Sequence, residues 1–402
     1  MRRTIVTRGC ACAAAAGLAI LVAAASASAQ QADPRLSEDR QLAGWSVTPR
    51  ISTGAAYDDN VLIQGTGTTQ TDLNTTLTPG ARLDYTGKRG QLSASYTGAV
   101  QLYRDFSSLN SYEQSIGVGG RRRISRHLLL FAQQSFSKTP TTALPAFVGI
   151  PFLRIGARLA DLRSGVEVTP SKRMSVAAQY SFQWIKFDND PVRGVPLVGG
   201  HANGGSAGLK YQLSTRTMLT ADYDVQRAQI VTGNRFLVQN SWAGAEYRLT
   251  ENSHVSGALG IARLDAADLG TGKTSPAWRA AYDQRFERAV VDLGVARSFV
   301  PSYGGGGTLS NLEFSANVHV PIARRFYTDA TLSWRRNEPL VAGDQALTSL
   351  WAGGTVGYAL QPWMRLEAFY GGTHQRIDRP GGRLDRTRIG FQVTTVKPVR
   401  IR

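Results

Sequence analysis

The chain has 402 residues and carries 46 basic against 29 acidic residues, so its formal net charge is +17 at pH 7. Beyond the first 30 residues no apolar run approaches the roughly 18 residues of a transmembrane helix, which excludes a helical membrane protein. The basic residues are spread along the chain and form no single cluster, which argues against nucleic acid as a partner.

The N-terminus has the pattern of a secretory signal peptide. Arg2, Arg3 and Arg8 form a positive head before an uncharged stretch over residues 9–29 that is rich in Ala, Leu and Val. Ala27-Ser28-Ala29 then supplies a small-x-small cleavage site. We therefore predict that residues 1–29 are a signal peptide and that the protein is exported by the general secretory route. The alternative is an uncleaved membrane anchor.

Both cysteines, Cys10 and Cys12, lie inside this segment. The mature chain is therefore predicted to contain no thiol, disulfide or thiolate metal site. Residues 30–45 read as a short polar leader in the periplasm, because they show no periodicity. From residue 46 to residue 402 strands and turns alternate without a linker or a helical segment, which predicts one domain.

The stretch over residues 76–103 shows the pattern of this domain most clearly. In its first strand apolar residues hold the odd positions, such as Leu77 and Leu83, and polar residues hold the even ones, such as Arg82 and Asp84. This period of two is that of a β-strand with one apolar face. The strands have roughly ten to fourteen residues, which exceeds the five or six usual in soluble sheets and matches a tilted strand that crosses a bilayer.

The same reading along the chain predicts about eighteen strands, with 16–18 as the expected range. Their approximate ranges are 46–58, 71–87, 90–105, 110–124, 126–139, 155–170, 173–189, 201–215, 217–231, 235–250, 252–266, 273–287, 289–302, 308–323, 325–338, 345–360, 362–377 and 383–396.

Short and long connections alternate between these strands. The tight turns are predicted near residues 88–89, 125–126, 171–172, 215–216, 251–252, 287–288, 323–324 and 361–362. This alternation is typical of outer-membrane barrels. We therefore predict an all-β fold, namely a single antiparallel up-and-down transmembrane β-barrel with short periplasmic turns and longer external loops. The alternative is a soluble sandwich or propeller with the aromatic residues in its core.

Aromatic residues fall into two sets that would form the interfacial girdles of such a barrel. Those beside the short turns are Tyr85, Tyr211, Tyr247, Phe286, Phe326, Tyr358 and Trp363, and those near the long loops are Tyr57, Tyr103, Phe136, Trp184 and Trp334.

One segment carries a family resemblance. The run Tyr57, Asp58, Asp59, Asn60 and Val61 ends the first strand, and a polar loop and a strand with Thr78-Pro79-Gly80 follow it. Over about residues 46–140 the chain resembles the β-barrel porin type 2 family, which are barrels associated with exopolysaccharide and capsule loci. The resemblance implies the outer membrane of a Gram-negative bacterium and a role in exopolysaccharide export.

The acidic residues of this motif have two physical interpretations. Asp58, Asp59 and Asn60 are good turn formers, which predicts a turn at the outer rim. They could also bind a cation such as calcium, although two acids and one amide are fewer oxygen ligands than calcium takes. We predict the turn, and we predict no metal and no cofactor.

Charged residues of both signs fall on the predicted lumen face, where they can cross-link the wall or set a transverse field at a constriction. These predicted pore-lining residues are Arg50, Arg82, Asp84, Lys210, Asp222, Asp224, Asp292, Glu313, Asp329, Arg335, Arg365 and Glu367. A barrel of about eighteen strands leaves an aqueous channel unless a segment folds into it. The apolar loop at residues 140–154 is the best candidate for such a constriction, with contact to a neighbouring subunit or to lipopolysaccharide as the alternative.

No motif in the sequence supports catalysis. A lipid-modifying barrel enzyme could use His374 with Thr373 or Ser349, but no nucleophile motif accompanies them. The predicted function is a passive or substrate-selective pore, and the alternative is a non-conducting barrel that binds a partner or a surface polysaccharide through its loops. The expected partners are outer-membrane lipid and lipopolysaccharide, the barrel-assembly machinery, and a polysaccharide or small hydrophilic solute.

Overall fold

The structure is a computed structural model that describes residues 44–65, 69–142, 150, 152–188, 197–231, 235–266, 271–302, 307–340, 346–377 and 382–401. The predicted signal peptide and nearly all of the predicted leader lie outside the described residues and stay predictions. So do the central parts of several predicted long loops.

Nineteen strands of the described chain form one antiparallel sheet. They are β1 Gly44–Asp58, β2 Asp72–Thr86, β3 Gly90–Tyr103, β4 Ser111–Arg123, β5 Leu128–Thr139, β6 Ala157–Ser171, β7 Met174–Phe187, β8 Gly200–Gln212, β9 Thr217–Ile230, β10 Arg235–Thr250, β11 Ser253–Ala266, β12 Thr271–Phe286, β13 Ala289–Ser302, β14 Gly307–Pro321, β15 Phe326–Pro339, β16 Leu347–Gln361, β17 Met364–Ile377, β18 Arg383–Val396 and β19 Val399–Ile401. A 3-10 turn at Ser107–Leu109 is the helical element of the described residues. None of those residues forms a helix that is long and apolar enough to cross a bilayer.

The sheet closes on itself. Each strand from β1 to β18 pairs with its sequence neighbours, and β18 returns to β1 in a register that runs from Arg50 opposite Val396 to Asp58 opposite Arg388. Closure pairs both sides of every strand from β1 to β18 along most of its length, so the backbone N–H and C=O groups there are bonded without water. The predicted eighteen-strand up-and-down barrel is therefore confirmed. The short β19, which pairs with the start of β1, was not predicted.

All eight predicted tight turns are present, and they lie at one end of the barrel. The connections there have two to four residues, as between β6 and β7 or between β16 and β17. We refer to this end as the short-turn end and to the other as the long-loop end. Basic residues such as Lys88, Arg89, Lys172 and Arg173 belong to the short-turn end.

Alternation along each strand separates an inner from an outer face. In β9, Asp222 and Asp224 line the interior, whereas Leu219 and Tyr223 on the other face are 42% and 43% exposed. The same holds around the whole wall. Large apolar side chains that are at least 40% exposed on the outer face include Ile51, Leu73, Leu77, Leu92, Leu102, Ile116, Val118, Leu130, Leu219, Leu259, Ile261, Val356, Leu366, Ile389 and Phe391.

The predicted aromatic sets mostly lie on this outer face. At the short-turn end the rings of Phe326 and Tyr358 are in tilted contact at 4.6 Å between centroids. Trp45, which the predicted set did not include, makes a similar tilted contact with Tyr85 at 4.9 Å. The assignment of Tyr103 to the outer girdle was wrong. Its side chain is 5% exposed and points into the barrel, because β3 places its odd-numbered residues inward there.

The wall separates between β12 and β13 at the long-loop end. Their pairing stops at Trp278 opposite Arg297, although both strands continue. By alternation, Phe299 should lie on the outer face of β13 together with Arg297. It is nevertheless 4% exposed, and it packs in a cluster with Trp242 of β10 and Ala277 of β12, which both lie on the inner face. The end of β13 therefore lies inside the wall formed by its neighbours.

Candidate pore and its constriction

A cavity of about 2270 Å³ lies inside the barrel and extends from the short-turn end to Ile150. Turn residues such as Arg126 and Arg216 stand at its mouth, and inner-face residues of most strands form its wall. Because alternate strand residues point into it, the wall is rich in charged, hydroxyl and amide groups. We call this cavity, which many charged side chains line, the vestibule.

All twelve predicted pore-lining residues lie on the inner face by alternation. Those that line the vestibule are Arg82, Asp84, Lys210, Asp222, Asp224, Asp292, Glu313 and Arg365. Arg50, Asp329, Arg335 and Glu367 lie on the same face but among the buried or half-buried groups of β1, β15 and β17. Their role in conduction stays a prediction.

Charged groups of the vestibule are paired across strands. Arg279 Nη2 is 2.6 Å from Asp222 Oδ2, and its guanidinium lies 4.8 Å above the Trp242 ring. Asp224 accepts hydrogen bonds from Asn240 Nδ2 at 2.7 Å and from Trp242 Nε1 at 3.1 Å. These contacts connect β9, β10 and β12, so the pairs stiffen the wall as well as lining it.

Two further ion pairs and one buried carboxylate connect inner-face strands in the same way. Lys210 Nζ lies 3.2 Å from Glu246 Oε1, and Arg335 Nη2 lies 2.9 Å from Glu313 Oε1. Glu367 is 8% exposed and accepts hydrogen bonds from Tyr327 Oη and, at 2.6 Å, from Gln392 Nε2. A carboxylate this buried needs such donors because they replace its hydration.

Sequence reasoning missed several charged groups of the vestibule. Arg279 is one of them, although the same alternation that selected Asp222 could have found it. Arg163 and Glu167 were missed because β6 shows little apolar and polar alternation, so its inner face could not be identified.

The described ends of the predicted constriction loop fold into the barrel. Ile150 of this loop and Ile155, which follows it, are 2% and 3% exposed, and both pack against inner-face apolar residues of β6 to β9, which include Ile185 and Phe187. Apolar burial holds this side of the loop, as its sequence led us to expect. Residues 143–149 and 151 lie outside the described part of the chain.

The other side of the same loop makes polar contacts with the opposite wall. The Phe152 N–H donates to Gln375 Oε1 on β17 at 2.9 Å. Arg154 Nε donates to the Val61 carbonyl at 2.9 Å, and its guanidinium lies 4.7 Å above the Tyr103 ring. Residues 150 and 152–155 therefore connect two parts of the wall. On one side they contact strands β6 to β9, and on the other they contact β17, β3 and the β1–β2 connection. We call these residues the constriction segment.

The motif at residues 57–61 has a role beyond the predicted turn. Asp58 is the last residue of β1, and its Oδ1 accepts from the Asn60 N–H at 3.2 Å, which is a turn contact of the predicted kind. Alternation also turns its carboxylate inward, where it is fully buried. Arg386 Nε donates to its two oxygens at 3.0 and 3.2 Å, and Arg388 Nε lies 3.7 Å away. The carboxylate is therefore neutralised by arginine.

The rest of the motif builds the connection that follows β1. Asn60 Nδ2 donates to the carbonyls of Gln64 and Asp385, and Asp59 Oδ1 accepts from the Thr387 N–H at 2.6 Å. Val61 is fully buried, whereas Tyr57 is 49% exposed on the outer face. Among the described residues, no group of three or more His, Cys, Asp or Glu is placed to hold a metal ion.

The histidines lie in different environments. His254 lines the vestibule, and His319 Nδ1 is 2.6 Å from Asp329 Oδ1 on the inner face. His374 lies on the outer face of β17 by alternation, and its Nδ1 contacts Asp385 there. Thr373 and Ser349 lie on the inner face, so the wall separates His374 from both hydroxyl groups.

No family model matches the sequence, and no curated protein matches it. The resemblance of residues 46–140 to the β-barrel porin type 2 family therefore stays a prediction. Among solved structures, the barrel is similar to OccK2 (OpdF) of Pseudomonas aeruginosa, with a TM-score of 0.48, 12% identity, and coverage of 88% of this chain and 98% of that one. It is also similar to OccAB3 of Acinetobacter baumannii, with a TM-score of 0.47, 12% identity, and coverage of 88% and 99%. A third similar structure is OpdK of Pseudomonas aeruginosa with vanillate, with a TM-score of 0.46, 11% identity, and coverage of 88% and 99%. At these values the likenesses assign neither a family nor an activity to this chain.

Proposed function

We propose that the chain is a substrate-selective pore in the outer membrane of a Gram-negative bacterium. The observation that carries this proposal is the closed wall that is apolar outside and charged inside. A soluble β-protein buries its apolar face in a dry core, whereas this barrel turns that face outward all round its circumference. Leu259 and Ile261, for example, are 74% and 58% exposed. Such a surface is stable in hydrocarbon and unstable in water.

The route through the barrel would run through the vestibule to the constriction segment. The vestibule has room for hydrated solutes, since its volume is about 2270 Å³. The constriction segment supplies selectivity, because its apolar side packs on one wall and Arg154 faces the wall that carries Arg386 and Arg388. Among the described residues, the three arginines face the carboxylate of Asp58, which pairs with Arg386 and Arg388, and that of Glu113, which interacts with Arg388. The positive charges outnumber the negative ones, so the site favours anionic solutes.

Participation in exopolysaccharide export is the finer form of the proposal. It rests on the resemblance of residues 46–140 alone, and the residues that carry it are those of the motif from Tyr57 to Val61. A polysaccharide synthesis cluster beside the gene would support it.

The proposal is tested by recording from purified protein in a planar lipid bilayer. We expect discrete conductance steps from the wild-type barrel and larger steps when residues 141–150 are deleted, because this deletion removes part of the constriction. A folded barrel that inserts and stays electrically silent in both forms would contradict a pore. Resistance of the inserted barrel to added protease provides the control for insertion.

A second candidate function is a non-conducting barrel that docks a partner through its loops. The observation that favours it is the packing of the long-loop end, where Phe236, Leu264, Asn337 and Gln375 are at most 2% exposed inside the barrel. The same deletion separates the two functions. In a docking barrel, loss of residues 141–150 changes which proteins or polysaccharides co-purify and leaves conductance unchanged.

A further inference from the structure

Three basic side chains lie in one row on the outer face at the long-loop end. Lys138 of β5 is directly opposite Arg158 of β6, and Arg158 is directly opposite Lys186 of β7. Their strand neighbours Ala157 and Phe187 are buried inside the barrel, which places the three charges outside. Since adjacent strands are about 4.8 Å apart, the row is about 10 Å wide. We call Lys138, Arg158 and Lys186 the cation row.

The cation row is short of negative charge. Like charges directly opposite each other on neighbouring strands destabilise a sheet. The Asp188 carboxylate lies 3.7 Å from Arg158 Nη2 in an exposed pair, which offsets one of the three charges weakly. Within the described part of the chain neither Lys138 nor Lys186 forms an ion pair with a carboxylate. Among the described residues, these two positive charges therefore have no carboxylate partner.

Two other outer-face arginines at the same end, Arg336 and Arg383, are paired locally. Arg336 Nη2 is 3.0 Å from Glu338 Oε1, and Arg383 Nε is 2.8 Å from Asp385 Oδ2. The outer-face arginines on β15 and β18 are thus paired with carboxylates, whereas the lysines of β5 and β7 have no such partner among the described residues. An external anion would relieve the repulsion in the cation row.

Aromatic side chains fix the depth of the cation row. Phe136 and Trp184 lie on the same outer face two positions nearer the middle of the barrel, with Ala160 between them in register. Two residues of strand correspond to about 7 Å. Aromatic rings mark the boundary between hydrocarbon and headgroups, so the cation row lies at headgroup depth.

We infer that the cation row binds the phosphorylated headgroup of lipopolysaccharide, the anionic lipid of the outer leaflet at the long-loop end. The inference rests on the proposed function, because that function places the barrel in the outer membrane. The two lysine ammonium groups and the arginine guanidinium of the row donate hydrogen bonds to phosphate oxygens. The rings of Phe136 and Trp184 contact the acyl chains nearer the middle of the bilayer. Each cation near a lipid surface changes affinity by about fivefold.

The test uses the purified barrel in phosphatidylethanolamine nanodiscs, titrated with diphosphoryl lipid A. We expect saturable binding by the wild-type protein and about thirtyfold weaker binding by the Lys138→Gln/Lys186→Gln variant, because two cations are lost. The matched control is the Arg227→Gln/Arg263→Gln variant, which removes two exposed outer-face cations from β9 and β11. This control should bind lipid A as the wild-type protein does.

Two results would overturn the inference while leaving the pore intact. One is equal affinity for lipid A in the wild type and both variants. The other is displacement of lipid A by phosphatidylglycerol at equal concentration, which would show a general attraction for anionic lipid. A barrel that does not insert into nanodiscs at all would instead contradict the proposed function, and the inference would fall with it.

Discussion

Asp58 at the end of the first strand and Arg386 in the last long strand form a buried ion pair across the closure of the barrel. Arg386 Nε lies 3.0 and 3.2 Å from the two carboxylate oxygens, and the Asp58 side chain is fully buried. The two residues are 328 positions apart in the chain. The pair therefore forms only when β18 has docked on β1 in the correct register.

We predict that Asp58→Asn destabilises the barrel by about 3–5 kcal/mol, because it leaves the largely buried Arg386 and the half-buried Arg388 beside a neutral amide. The measurement is the free energy of unfolding in urea, followed by the loss of the compact form on unheated gels. Arg386→Gln should cost a similar amount, since it leaves the Asp58 carboxylate with a weaker and more distant cation.

The Asp58→Asn/Arg386→Gln double variant is the control for this prediction. If the two groups act as a pair, the double variant loses less stability than the sum of the single variants. Strict additivity of the two single effects would show that the pair does not couple β1 to β18.

The strands and turns were predictable because both depend on local sequence. A period of two marks a strand over ten residues, and a pair such as Glu251-Asn252 between two such runs marks a tight turn. The strand at Arg235–Thr250 was predicted at its observed bounds. Closure of the barrel followed from the even number of strands and from the alternation of short and long connections.

The role of Asp58 could not be predicted in the same way. Its partners lie on a strand that meets β1 only through closure of the whole sheet, and no local pattern specifies that register. The separation of β12 from β13 is likewise a tertiary feature, since Phe299 has the position of an outer-face residue in its own strand. The sequence around Phe299 does not reveal that the inner face of β10 lies beside it.

We predict that Arg154→Gln lowers the preference of the pore for anions. Burial lowers the pKa of the Arg154 guanidinium, but arginine stays protonated at neutral pH, so the residue contributes a full positive charge at the constriction. Loss of one charge at close range should reduce the chloride-to-potassium permeability ratio about fivefold. The reversal potential in a potassium chloride gradient measures this ratio.

Two variants separate charge from packing at this position. Arg154→Lys keeps the charge and loses the contact with the Tyr103 ring, so it should retain most of the anion preference. Arg82→Gln removes a cation of the wide vestibule that is already paired with Asp84, and it should leave the ratio near that of the wild type. An unchanged reversal potential in Arg154→Gln would show that solutes do not pass this residue.

We predict that Phe299→Ala opens the long-loop end of the barrel. Phe299 is 4% exposed and holds the end of β13 against Trp242 and Ala277, so its loss removes packing worth about 3–5 kcal/mol. Single-channel recording should show larger conductance steps. Phe391→Ala is the control, because Phe391 is 58% exposed on the outer face of β18. Equal conductance in both variants would contradict a role for the β13 end in closing the barrel.

The last prediction concerns the hydrogen bond that fixes the constriction segment to β17. Gln375 is 2% exposed and accepts from the Phe152 N–H at 2.9 Å. Gln375→Leu removes the acceptor and leaves a half-buried donor unsatisfied, at a cost of about 1–3 kcal/mol. We expect the segment to detach more often, so that open dwell times in single-channel records lengthen at least fivefold.

Gln375→Glu recorded at acidic pH is the matched control, because a carboxyl group with so little exposure is then protonated and its carbonyl oxygen still accepts from the Phe152 N–H. It should keep the dwell times close to those of the wild type. A Thr142→Val variant should lengthen them as Gln375→Leu does, because Thr142 Oγ1 accepts from the N–H of Leu153 in the constriction segment at 2.7 Å. If all three variants gave the dwell times of the wild type, the constriction segment would not be the part of the barrel that opens and closes. The gating movement would then have to lie elsewhere, and the separated end of β13 would be the next place to measure it.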